Sequence, residues 1–112
     1  LNGAGKIVDF CWHDLVNHYK NVLLDEYIIM PDHFHGILHI KPSEPGFKQY
    51  GLPEIIRGFK TFSSRRINEK FPYLLFMWQK SYYDRIVRND AELSRIREYI
   101  KNNPAAFKLK NK

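Results

Sequence analysis

A single cysteine, Cys11, stands in a chain of 112 residues. One thiol excludes an internal disulfide and any zinc site built from several cysteines, and it fits a reducing compartment. Long apolar runs are also missing. None approaches the ~20 residues that a membrane span needs, so no membrane partner is expected. The opening residues do not read as a secretory signal. The chain opens on Leu1 rather than Met, so its natural start is expected upstream. No internal repeat is visible, and the length suits one domain over residues 1–112.

Acidic residues are scarce after residue 40. Residues 1–40 carry two basic against five acidic side chains, a net of −3, whereas residues 41–112 carry sixteen against seven, a net of +9. A basic part of this size suggests a polyanion partner, most simply nucleic acid. A solvated basic surface is the plainer reading. The hydrophobic fraction of 44% predicts a packed globular fold rather than disorder.

The pattern of apolar residues predicts the elements. Trp12, Leu15, Val16 and Tyr19 recur at helical spacing over residues 9–20. Residues 22–30, VLLDEYIIM, read as a strand. Pro31-Asp32 makes a tight connection into a second strand at 33–41, giving an antiparallel hairpin. The proline- and glycine-rich stretch 42–51 is a loop. A second helix over 53–70 starts on Pro53 and carries Ile55, Ile56, Phe59, Phe62 and Ile67. Gly58 inside it costs about 1 kcal/mol relative to alanine. Residues 74–87 look extended, with a bulge or a break left open. Asn89 and Glu92 have capping-box spacing before a third helix over 90–103, with Leu93, Ile96 and Ile100 as its apolar stripe. Pro104 is expected to end it. The order is an α+β one, with helices packed on an antiparallel sheet. Three strands are thin for it, and a further strand before residue 9 is expected to complete the sheet.

His33 and His35 open the second strand. Alternate residues share a face, so both imidazoles point one way and Phe34 the other. Two imidazoles fixed on one strand can each give a nitrogen to one divalent ion. His39 shares their face but stands too far along a strand rising ~3.3 Å per residue. By itself the pair also reads as two surface histidines. On the third helix, Tyr99 and Asn103 are four apart and share a face. An amide oxygen could complete a metal site there, with a phenol beside it. A tyrosine at the core's edge and an asparagine that stops a helix are the alternatives.

The segment PDHFHGILHI, followed later by WQKSYYDRIVRNDAELSRIREYIKNNP, resembles the REP-associated tyrosine transposases. These are relatives of the single-tyrosine insertion-sequence transposases, within the HUH endonucleases. The similarity runs from Val22 to Phe107. It implies a ferredoxin-like α+β fold, His33 and His35 as ligands of a catalytic divalent ion, Tyr99 as nucleophile and Asn103 as a further polar ligand. It also implies Mg²⁺ or Mn²⁺ as cofactor, single-stranded or hairpin DNA as partner, and a bacterial, cytoplasmic, nucleoid-associated setting. Relatives begin with a strand of their own, which is not evident here. Asp32 stands where relatives often have Asn, and could serve as an outer-shell partner or simply initiate the turn.

The implied activity is a metal-dependent single-stranded DNA endonuclease and strand transferase that works through a 5′-phosphotyrosine. A phenol titrates near ~10 and needs a cation or base beside it to attack. DNA contacts are expected from Arg57, Lys60, Arg65, Arg66, Lys80, Arg85 and Arg88. Trp78, Tyr82 and Tyr83 could stack on bases or belong to the core. An inactive nucleic-acid-binding module of the same fold and a water-using metal hydrolase are the competing readings. A monomer using its own tyrosine and a homodimer exchanging tyrosines are both open.

Overall fold

The computed structural model describes residues 2–30, 33–78 and 86–110, with side chains through Asn102. Helix α1 spans Gly3–His18, strands β1 and β2 span Val22–Ile29 and Phe34–Ile40, helix α2 spans Leu52–Lys70, a 3-10 turn spans Pro72–Leu74, and helix α3 spans Asp90–Lys110. This is the expected α+β class, with three helices and a two-stranded antiparallel sheet among the described residues. That composition is consistent with a ferredoxin-like arrangement that lacks a strand. The Met30 N–H donates to the His33 carbonyl at the turn end of the hairpin, and the Lys41 N–H donates to the Asn21 carbonyl at its open end.

Two compact units divide the chain. One comprises Leu1–Leu24 with Leu38–Lys80, the other Asp25–Ile37 with Ser81–Lys112.

The first unit is built on α1 and α2. Residues 3–8 form the first turns of α1 instead of the expected strand. Two local causes favour the helix. Asn2 caps it, its Oδ1 accepting from the Gly5 N–H at 2.7 Å, and such a cap is worth about 1 kcal/mol. Val8 also continues the buried stripe of Cys11, Trp12 and Leu15. Val16, expected on that stripe, is exposed. On α2 the buried residues are Ile55, Phe59, Ser63 and Ile67, four apart along one face. Ile56 and Phe62 flank them half-buried. The Trp12 and Phe59 rings meet edge to face at 6.1 Å. Gly58 admits the Tyr19 ring so closely that a Cβ there would collide with the phenol hydroxyl.

The third strand is not found where residues are described. Leu74 ends the 3-10 turn, and residues 75–78 and 86–88 are not in a strand. Asn68 explains part of this. Its side chain bonds both the N–H and the carbonyl of Phe76, occupying groups that a sheet partner would need. The remainder of the expected strand, 79–85, lies outside the described residues.

In the second unit α3 runs 21 residues. Asn89 Oδ1 accepts from the Glu92 N–H at 2.8 Å, as the capping box requires, but Glu92 reaches back to the Arg88 N–H rather than to Asn89. Pro104 does not stop the helix, which continues to Lys110. Proline removes one donor and biases the residue before it, but the helix backbone can pass through at a cost.

Candidate active site

The turn end of the hairpin and α3 supply the chemistry-bearing residues of the second unit. His33 is exposed just before β2, and its carbonyl is fixed by the Met30 N–H at 2.9 Å. His35 is half-buried on β2. Their rings lie 5.0 Å apart, nearly perpendicular at 87°, as strand alternation places them. Between them Phe34 stacks on the Tyr27 ring of β1 at 6.0 Å. Tyr99 approaches from α3. Its ring meets that of His35 edge to face, with centroids 6.1 Å apart at 88°. It remains 59% exposed, open to a large ligand.

Burial pushes the His35 imidazole below its ordinary range, and the positive charge of a protonated His33 adds to the effect. Both causes favour the neutral ring, the form that can bind a cation. The spacing of the two rings also suits one ion. With metal–nitrogen bonds of about 2.0–2.1 Å at tetrahedral to octahedral angles, ring centroids fall roughly 4.5–5.2 Å apart. Two imidazoles do not complete a site. Among the described residues no cluster of three His, Cys, Asp or Glu side chains forms. Among the described residues, a third protein ligand would be of another type, such as an amide. Asn103 follows Tyr99 by one turn on α3, and its side chain lies outside the described residues, as does Asp32.

Ion pairs flank this constellation. Arg97 grips Asp25 of β1 through two nitrogens, Nη2 at 2.6 Å from Oδ2 and Nε at 3.0 Å from Oδ1. The bonded carboxylate raises the already high pKa of Arg97. One turn on, Lys101 Nζ stands 3.7 Å from Glu26 Oε1. Sequence reasoning missed these four residues. Their signal was present: an acidic pair interrupting the apolar run VLLDEYIIM, and two cations four apart on a helix.

The basic residues divide by what they already touch. Arg57 and Arg65 are exposed on α2, and Lys60 is half-buried there. Arg66 is engaged inside the first unit. Its Nη1 lies 3.6 Å from Cys11 Sγ and 3.9 Å from Asp14 Oδ2, and its guanidinium sits over the Phe10 ring. Asn17's amide holds the Asp14 carboxyl below its usual range, with His18 and Arg66 assisting. Arg88 is exposed two residues before α3. Lys80, Arg85, Tyr82 and Tyr83 lie outside the described residues. Of the two roles open to Trp78, the contacts favour the core. Its Nε1 donates to buried Ser63 Oγ at 2.7 Å, and its ring meets Phe59 and Phe76.

The second unit thus brings a His-x-His pair on the hairpin against a tyrosine of α3. Residues 11–103 match the family model described as "Transposase IS200 like". This chain belongs to the IS200-like transposase family. It is also similar to an uncharacterized protein of Haemophilus influenzae, 33% identical over 123 residues. That alignment covers 93% of this chain and 66% of the relative, so the chain spans just under two thirds of its length. No solved structure matches. Among the described residues no helix is long and apolar enough to cross a membrane.

Proposed function

We propose that this chain cuts and rejoins single-stranded DNA through a covalent link on Tyr99. The observation that carries the reading is the juxtaposition of the Tyr99 ring, His35 and His33 within one compact unit. A ligand pair set on a hairpin and an exposed phenol beside it are the components that phosphoryl transfer to tyrosine needs.

In this reading His33, His35 and the Asn103 amide hold a divalent cation, Mg²⁺ or Mn²⁺. Such an ion supplies positive charge that polarises a phosphate oxygen and steadies the scissile phosphate. The hairpin presents both imidazoles, His35 on β2 and His33 just before it, so little ordering remains to be done on binding. Tyr99 Oη attacks the phosphorus and loses its proton. The bond to the 3′ oxygen breaks, and that oxygen leaves as a hydroxyl once protonated. The 5′ phosphate stays on Tyr99 as a phosphodiester, so its energy is conserved and no nucleotide cofactor is consumed. A 3′ hydroxyl attacking that link reverses the step and joins strands.

Arg57, Lys60 and Arg65 on α2 and Arg88 just before α3 supply backbone contacts to the DNA. Because Tyr99 stands against His35 of its own chain, the reading favours a protomer that uses its own tyrosine. The test is incubation of the protein with end-labelled, hairpin-bearing single strands and Mn²⁺. The expected product is a protein–DNA adduct that survives denaturation and is absent with Tyr99→Phe. Cut DNA without an adduct points to a water-using hydrolase. Binding without cutting points to an inactive module.

A further inference from the structure

Asp25 and Arg97 have no part in the chemistry proposed above, yet they form a two-nitrogen grip between β1 and α3. Helical geometry gives that grip a consequence. At 100° per residue, Tyr99 falls about 80° to one side of the stripe formed by Ile96 and Ile100, while Arg97 and Lys101 fall about 100° to the other. Ile100 is buried and Ile96 half-buried, so the stripe acts as the axle on which α3 could roll. Apolar contacts are non-directional and by themselves set the rotation only loosely. Directional bonds on one flank resist the roll.

We propose that Asp25 and Arg97 are positioning residues that set the rotation of α3, and with it the distance of the Tyr99 phenol from the histidine pair. This inference rests on the proposed role of Tyr99. The Asp25 side chain is 11% exposed and that of Arg97 39%, so the grip is shielded on the strand side. Asp25 is itself steadied, because its Oδ1 also accepts from the Glu26 N–H at 2.7 Å. The longer Lys101–Glu26 pair, with side chains 53% and 38% exposed, adds a second and weaker stay one turn along. The lever is sensitive. Side chains reach about 5–6 Å from a helix axis, so a roll of about 10° moves their ends by about 1 Å. A misplacement of that size can cost on the order of 10²-fold in rate.

The test compares the unaltered chain with Arg97→Gln and Arg97→Lys. Three readouts are taken: the single-turnover rate of adduct formation at saturating DNA, the DNA affinity, and the nuclear Overhauser effect between the His35 and Tyr99 ring protons. The expected result for Arg97→Gln is a fall of about 10- to 100-fold in the adduct rate, with affinity within about twofold and a weakened ring-to-ring signal. Arg97→Lys keeps the charge but loses the fork, and should recover part of both. If Arg97→Gln fails to fold, an intermediate loss in Arg97→Lys carries the same expectation. An unchanged rate with an unchanged ring signal overturns the proposal. So does a loss confined to affinity, which would make Arg97 a DNA contact. A wild-type chain that forms no adduct removes the proposed reaction, while the ring signal still decides whether Arg97 sets the position of Tyr99.

Discussion

Tyr99 meets His35 edge to face, with ring centroids 6.1 Å apart. The phenol is exposed and the imidazole half-buried. A strand that belongs to a hairpin and a helix more than sixty residues later thus bring two reactive rings together, and the expected measurements follow from that meeting.

Removing either imidazole should weaken cation binding. His33→Ala and His35→Ala are each expected to lower Mn²⁺ affinity by at least about tenfold, since even outer partners of ligands cost 10- to 100-fold. Titration calorimetry with Mn²⁺ alone measures this. Unchanged affinity in both variants would show that the pair binds no cation.

Protons compete with cations for the imidazole nitrogen. Burial, and then the charge of His33, lowers the pKa of His35, so in the cation-free protein its ring resonances should titrate with a midpoint below ~6.5. The folded state then binds fewer protons than the unfolded chain just below that pH. Folding stability is therefore complete above ~6.5 and declines as pH falls toward the folded pKa. A midpoint at or above 6.5 by NMR would contradict the burial argument.

Arg57 and Arg65 are exposed, whereas Arg66 already touches Asp14, Cys11 and Phe10. Substituting Arg57 or Arg65 by Gln should reduce the slope of log affinity for single-stranded DNA against log salt by about 0.7 each. Arg66→Gln should instead lower stability, by at most about 1 kcal/mol for so exposed a pair, and alter the slope less. Fluorescence anisotropy across a salt series separates the two classes. Equal slopes in all three variants would contradict this division.

Helix propensity alone predicts that Gly58→Ala gains about 1 kcal/mol. The Tyr19 hydroxyl occupies the space a Cβ would need, so the variant is expected to lose roughly 1–3 kcal/mol. The loss should shrink in a Tyr19→Phe background, because the hydroxyl is gone. Urea unfolding of the four chains forms the cycle. A stabilised Gly58→Ala would show that Tyr19 simply moves aside.

Local signals carried much of the fold. The stripe of Ile55, Phe59 and Ile67, the Asn89 cap, and the hairpin on either side of Pro31-Asp32 all depend on residues a few positions apart, and they are read directly. The histidine pair was legible for the same reason, since strand alternation needs only the spacing of His33 and His35. Other features depend on remote partners. Residues 3–8 become helical partly through the burial of Val8 against the rest of the first unit, beside the local cap of Asn2. The chain after Leu74 is held by Asn68, and Ser63 sits on a core stripe because its hydroxyl serves both Phe59 and Trp78. No short-range rule pairs Arg97 with Asp25, 72 residues away. Pro104 marks the opposite failure, where a strong local signal did not decide the backbone.

The central claim is that Tyr99 becomes covalently joined to DNA, and peptide mapping of the adduct tests it most directly. After reaction with hairpin-bearing single strands and Mn²⁺, nuclease and trypsin digestion should leave residues 98–101 carrying a 5′-linked nucleotide on Tyr99 by mass spectrometry. Cleaved DNA with that peptide unmodified, or with the nucleotide on another side chain, would contradict the account.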